Sequence, residues 1–289
     1  MMLDRILVPL DGSPLAETAL PPLAWLAPSA SSEVVLARAC PLRPVGAYEA
    51  AALMPVDVED ARDYLERTAA RLRAEGHRVR TLIREGEAAE SILDAAAEEG
   101  ATLVLMATHG RGGLARFVFG SVAEKVLRAS VAPVMIFPAF SPPRSQPPTR
   151  LLVPLRSDEA ARGLLPAVVE LARRGGARVT LLHVAAPGEP ADPGAPFLQA
   201  AAASLAAEGV EAGALVLGGD PATRILETVG DADVDMLVMA ARGRRGPSRW
   251  IFGSVTEKVL PGAGAPLLVV RDAPVSRVIA WAKSAAWKE

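Results

Sequence analysis

The chain has 289 residues, a formal net charge of −2, and 51% hydrophobic but only 4% aromatic residues. That near-neutral balance, without a long basic run, argues against nucleic acid and against an anionic membrane surface as partners. Its single cysteine, Cys40, excludes an internal disulfide and suits a reducing compartment. No apolar stretch reaches the roughly 18 residues of a membrane helix. The N-terminus, Met1-Met2-Leu3-Asp4-Arg5, carries no signal-peptide pattern, so the expectation is a cytoplasmic protein long enough for two domains.

Taken in order, Arg5 to Asp11 is a short apolar run that reads as a strand buried on both faces. Asp11-Gly12-Ser13-Pro14 stops it, and Ala16 to Leu26 has the Ala/Leu spacing of a helix. Glu33 to Ala39 is a second strand, and Pro41 to Asp57 is irregular. Val58 to Glu75 predicts an amphipathic helix with Ala61, Leu65, Thr68 and Leu72 facing the core, ended by Gly76. A strand at Arg78 to Arg84, a helix at Ala88 to Glu98 and a strand at Thr102 to Ala107 follow, then a glycine-containing loop, a helix from about Val122 and a strand at Val134 to Phe137. Strands alternating with helices of this length imply crossover units and a parallel sheet.

The proline-rich stretch Ser141 to Thr149 reads as a stiff linker. Beyond it the pattern repeats: Arg150 to Leu155 echoes Arg5 to Leu10, offset by 145 residues. The offset is 133 by Gly86 and Gly219, so the second half is twelve residues shorter, and the loss falls around Pro187 to Pro196. The organisation expected is a first domain at 1–140, a linker at 141–149, a second domain at 150–272 and a tail at 273–289. In the tail, Val275, Val278, Ile279 and Ala282 form one helical stripe, which predicts a helix docked on protein, with Trp281 beside it. The last strand of each half, Val134 to Phe137 and Leu267 to Val270, is an apolar edge, so the halves are expected to pair there as an intramolecular pseudo-dimer, with a homodimer as a further option.

The most informative repeat is the loop itself. Gly110, nine residues, then Gly120-Ser121 recurs as Gly243, nine residues, then Gly253-Ser254. Glycines let backbone N–H groups approach a phosphate closely, and the helix that starts there adds unpaired donors and the positive end of its dipole. Ordinary turn glycines are the plainer alternative. Ser121-x-x-Glu124 and Ser254-x-x-Glu257 also read as capping boxes, which is compatible with an anion at the same helix start.

The spacing resembles the nucleotide-binding signature of the universal stress protein family, and flanking features extend the likeness over nearly the whole chain. Both copies depart from the pattern at its first glycine, which is Ala107 in one and Ala240 in the other. The resemblance implies two tandem five-stranded α/β domains with helices on both faces, Rossmann-like and akin to adenine nucleotide alpha hydrolases, with strand order 3-2-1-4-5. It also implies ATP, alone or with Mg²⁺, as the ligand.

Carried onto this sequence, the first site comprises Pro9, Leu10 and Asp11 after the first strand, Ala39 against the base, Met106 and Ala107 before the loop, and His109, Gly110, Arg111, Gly120, Ser121 and Val122 around the phosphates. A weaker second site comprises Met239, Gly243, Gly253, Ser254 and Val255, with Val184 in the place of Ala39. Core packing for Met106, Met239, Ala39 and Val184, a solvated loop for Arg111 and Arg244, and a simple turn for Asp11 are the plainer readings. The halves differ most where Arg156 replaces Asp11, since an acceptor becomes a bulky donor. His77, His109 and His183 have no metal-ligand spacing, and no nucleophile elbow, P-loop or Cys-x-x-Cys is present. The function expected is an ATP-binding stress-response sensor or adaptor with no catalytic residues. The rivals are a nucleotide-free protein acting through protein contacts and a slow ATPase.

Overall fold

The computed structural model describes residues 2–28, 32–41, 58–108, 120–138, 145–156, 158–185, 195–241 and 253–271, the side chains of 158–160 excepted. The expected tail helix and most of the irregular stretch after Pro41 lie outside these residues. The first half contains β1 (Arg5–Pro9), α1 (Pro14–Glu17), α2 (Leu23–Leu26), β2 (Glu33–Cys40), α3 (Val58–Ala74), β3 (Arg78–Glu85), α4 (Ala88–Glu98), β4 (Leu103–Ala107), α5 (Ser121–Ala129) and β5 (Val134–Phe137). The second contains β6 (Arg150–Pro154), α6 (Asp158–Gly175), β7 (Arg178–Ala185), α7 (Pro196–Ala207), β8 (Ala212–Gly218), α8 (Pro221–Asp231), β9 (Met236–Ala241), α9 (Ser254–Gly262) and β10 (Leu267–Arg271). No helix among the described residues is long and apolar enough to cross a membrane.

One expected helix is two. The run Ala16 to Leu26 divides into α1 and α2, because Pro21 and Pro22 remove two successive N–H donors and Pro22 becomes the N-cap of α2. The equivalent α6 keeps a single proline, Pro166, and runs through it unbroken. The core face expected of α3 is the observed one, with Ala61, Leu65, Thr68 and Leu72 all buried.

All ten strands form one sheet in the order β3-β2-β1-β4-β5-β10-β9-β6-β7-β8. Within each half the recorded pairs are parallel, in the order 3-2-1-4-5. Between halves β5 and β10 pair antiparallel, Leu267 opposite Ile136, Leu268 opposite Met135 and Val269 opposite Val134. The two apolar edges thus satisfy each other's backbone groups, as their sequences lead one to expect. Each face of the sheet carries one continuous core: α1–α3 with α6 and α7 on one side, and α4, α5, α8 and α9 on the other.

The seam has polar ties as well. Arg128 of α5 reaches Glu257 of α9 at 3.1 Å. Arg271, at the end of β10, donates to the Leu127 carbonyl at 2.8 Å and to the Arg128 carbonyl, both at the C-terminal end of α5. Cations are favoured at that end of a helix. Burial pushes the Arg271 guanidinium down to about 10, which still leaves it charged at neutral pH. At the 133-residue offset the counterparts of Arg271 and Arg128 are Pro138 and Pro261, so these ties run in one direction only.

The start of the second half is held by Asp235, which is 7% exposed. It accepts from the Thr149 N–H at 3.0 Å, the Thr149 hydroxyl at 2.7 Å and the Arg150 N–H at 3.0 Å. Asp235→Ala should cost about 1–3 kcal/mol, because it strips acceptors from part-buried backbone donors, and a thermal melt would register the loss. Just upstream, Pro147 and Pro148 lie against Gly175, where an added Cβ would strike the Pro148 carbonyl.

At the outer end of the first half, Glu33 accepts from Arg5 and Arg80, each at 2.9 Å. Burial alone would raise its carboxyl, but hydrogen bonds and charge from Arg80 and Arg5 outweigh it and hold the group below its usual 4.5. The unfolded chain therefore binds the proton more readily than the folded one. The associated stability is complete above pH 4.5 and is lost as pH falls through the depressed folded value. Glu33→Gln should flatten this acid-side loss in urea unfolding series, and an unchanged pH slope would show that the cluster contributes nothing.

Candidate nucleotide site

The proposed site residues gather where the sheet topology puts the carboxyl ends of β1, β2 and β4 side by side. β1 pairs with β2 as Pro9 opposite Ala37, and with β4 as Leu7 opposite Val104. Continuing those registers brings Asp11 level with Ala39 on one side and Thr108 on the other. The Leu10 N–H donates to the Ala37 carbonyl at 2.8 Å, which holds the strand straight up to Asp11. Leu10, Met106 and Ala107 are buried, while Pro9, Asp11 and Ala39 are half-buried at the mouth.

Asp11 makes the turn that was its plainer reading. Its Oδ1 accepts from the Ser13 N–H at 2.9 Å, and Gly12 between them takes φ +83°, a left-handed value that favours glycine. The turn fixes the carboxylate at the strand end. A carboxylate has about four lone-pair positions, so this bond does not exhaust its capacity to accept.

The base of the loop is closed on both sides. The Thr108 N–H donates to the Phe137 carbonyl at 3.0 Å, and the Gly120 N–H donates to the Thr108 carbonyl at 2.9 Å. The start of α5 is therefore tied to the end of β4. His109, Gly110 and Arg111 lie outside the described residues, as do Gly243 and Arg244.

The capping boxes do not form. Gly120 is itself the N-cap, with φ −63° and ψ 141°, and Ser121 is the first helical residue. The Glu124 N–H donates to the Gly120 carbonyl at 3.0 Å, not to the Ser121 hydroxyl, and the Glu124 carboxylate accepts from Arg128 at 2.8 Å. In the second half Gly253 is the N-cap, Ser254 follows it, and Glu257 faces Arg128. At each cap the glycine C=O accepts the first helical bond, from Glu124 and from Glu257 respectively. Neither cap glycine supplies a side-chain acceptor. The first-turn N–H groups of a helix have no partner within the helix itself. Ser121 and Ser254 are exposed, and Val122 and Val255 are half-buried behind them.

Gly253 has an ordinary conformation that any residue adopts, and a Cβ there would meet no atom of the described residues within 4 Å. Met239 is buried and Val184 half-buried, as their first-half counterparts lead one to expect.

Sequence reasoning missed two features. Lys125 reaches Glu87, the N-cap of α4, at 3.1 Å, and Lys258 reaches Asp220, the N-cap of α8, at 3.6 Å. Helices α5 and α9 are thereby each tied to the helix beside them, and the shared 133-residue offset of both partners was the available signal. The second feature lies behind the strand ends. Arg38, buried, stacks over the Tyr64 ring at 5.1 Å, and Tyr64 donates to Glu17 at 3.0 Å. Burial first, then Glu17, raises the Tyr64 hydroxyl well above its usual value. At equivalent positions the second half has His183 packed edge-on to Phe197, with centroids 5.0 Å apart. His183 Nδ1 lies 3.0 Å from the Leu155 carbonyl, immediately before Arg156, which is exposed. The two halves thus share a frame and differ around the ends of β1 and β2 and their counterparts β6 and β7.

Comparison with known proteins agrees with this duplication. The family model described as the universal stress protein family matches twice, over residues 2–138 and 148–271. Universal stress protein Sll1654 of Synechocystis is 32% identical over 138 residues, 48% of this chain and 87% of that protein. Universal stress protein MJ0577 of Methanocaldococcus jannaschii is 32% identical over 78 residues, 27% of this chain, and the match spans only 48% of that protein. Among solved structures, a universal stress protein from Archaeoglobus fulgidus superposes with a TM-score of 0.76 at 22% identity, covering 94% of this chain and all of the other, a likeness of fold.

Proposed function

The chain belongs to the universal stress protein family, and we propose that it is a cytoplasmic, ATP-binding stress-response sensor or adaptor in which ATP is held chiefly by the first half. The observation that carries the asymmetry is the exchange of Asp11 for Arg156 at the same place in two otherwise matching frames. In this reading the first-turn N–H groups of α5, after Gly120, receive the phosphates, with Gly110, His109 and Arg111 on the loop around them. Asp11 accepts from ribose hydroxyls, and Pro9, Leu10, Ala39, Met106 and Ala107 form the apolar wall for the base. Mg²⁺, where present, rides on the phosphates. The second half keeps Met239, Gly243, Gly253, Ser254 and Val255 as a phosphate cradle, but Arg156 offers donors where a ribose needs acceptors.

The reading assigns no catalytic group, and its supports are all binding features. Acid release of nucleotide from the purified protein, followed by mass spectrometry, tests it. An adenine nucleotide below one equivalent per chain, with no fast turnover of added Mg-ATP, is the expected result. Protein that carries no nucleotide and does not take up added ATP would favour the nucleotide-free reading.

A further inference from the structure

The two outer flanks of the sheet are built from equivalent elements with opposite surfaces. On the first half, α3 carries eight charged residues and β3 carries Arg78, Arg80, Arg84 and Glu85. Several are locked in place along the edge: Arg80 to Glu33 at 2.9 Å, Thr81 to Glu66 at 2.6 Å, and Arg84 to Glu98. Charges of this kind protect an edge strand from pairing with another chain. On the second half, neither α7 nor β8 contains a single charged residue. Among the described residues β8 pairs with β7 alone, and on its other side the Gly218 carbonyl accepts from the Arg224 side chain at 2.8 Å. Gly213, Ala214 and Gly218 are exposed, and a Cβ on either glycine would meet no atom of the described residues within 4 Å.

We infer that the β8 edge, flanked by α7, docks a second copy of this chain through antiparallel β8–β8 pairing, which continues the ten-stranded sheet into the next molecule. The chain's own seam is the first argument: β5 and β10, likewise apolar where they pair, close on each other antiparallel. The second is the register. A twofold axis at Leu215 sets Ala212 against Gly218, Gly213 against Leu217 and Ala214 against Val216 across the two copies. Glu211 then falls opposite Gly219, and Asp220 opposite Val210, so no like charges meet. The third is matching of surfaces. Pairing β8 with β3 of another copy would cover the Arg80 and Arg84 ion pairs with an uncharged strand, whereas the charged groups recorded at β8 lie at its two ends: Arg224, which donates to the Gly218 carbonyl at 2.8 Å, and Glu211, which pairs with Arg178 at 2.9 Å. The twofold also brings the two α7 helices together on one face, where exposed Ala200, Ala203 and Ala207 permit close approach. The helix pair adds contact surface beside the strand pair, toward the roughly 1,200 Å² of a specific interface.

Sedimentation equilibrium on the full chain tests this, with amide exchange of β8 followed at two concentrations. A monomer–dimer equilibrium in the micromolar range is expected, with β8 amides slowing as the dimer fills. Ala214→Lys should weaken it by at least about tenfold, and Ala203→Lys, on the exposed face of α7, by a similar factor with an unchanged circular dichroism spectrum. A chain that stays monomeric to about 100 µM overturns the inference. So does a dimer untouched by both lysines, or β8 amides already protected in the monomer, which would mean that the chain covers its own edge.

Discussion

Replacing Gly120 with valine is expected to abolish ATP binding, while Gly253→Val leaves most of it intact. Both glycines are N-caps with nearly the same extended backbone, φ −63° and −62°, so valine is conformationally admissible at each. In the proposed reading the first-turn N–H groups receive the phosphates, and a phosphate held by backbone donors would have no room for the two added methyl groups. If the second half binds ATP weakly, blocking its cradle removes little. Asp11→Ala should act at the other end of the same site. Losing a charged hydrogen-bond partner costs about 1–3 kcal/mol, or roughly tenfold to a hundredfold in affinity. Circular dichroism separates lost binding from lost fold. A Gly120→Val protein that is folded and still binds ATP tightly would move the site away from α5.

The largest stability effect is expected at the seam. Leu268 is fully buried in β10 and paired opposite Met135 of the other half. Leu268→Ala should cost about 2–5 kcal/mol, the range for deleting a buried leucine side chain where the surroundings relax only in part. Because each core runs across both halves, the loss should appear in one cooperative urea transition. Leu217→Ala, at the half-buried outer edge, should cost clearly less. Equal losses at the two positions, or two separate transitions in the parent chain, would show that the halves fold independently of their seam.

Much of this was legible before any coordinates, and for identifiable reasons. Helix α4 and strand β5 fall where the pattern puts them, because Gly86, Gly100 and Pro133 punctuate an otherwise regular alternation. Pairing of β5 with β10 follows from two short apolar runs, each the last strand of its half. Failures came where two local rules compete. Ser-x-x-Glu satisfies the capping-box pattern, yet glycine one residue earlier takes the cap and Glu124 finds Arg128 one helical turn away. Leucine spacing over Ala16 to Leu26 is helical, yet two adjacent prolines end the helix. What no local rule contains is contact across the sheet: Arg38 over Tyr64, His183 against Phe197 and the Leu155 carbonyl, and Arg271 at the end of α5. These depend on which strands become neighbours, and periodicity within one element does not specify that.

The unequal halves are the centre of the account, and isothermal titration of the full chain with Mg-ATP, after bound nucleotide is removed, tests them most directly. The expected isotherm has one tight site per chain, with the second site at least about tenfold weaker, in line with a ribose that meets Asp11 in one half and Arg156 in the other. Two sites of equal affinity per chain would contradict it.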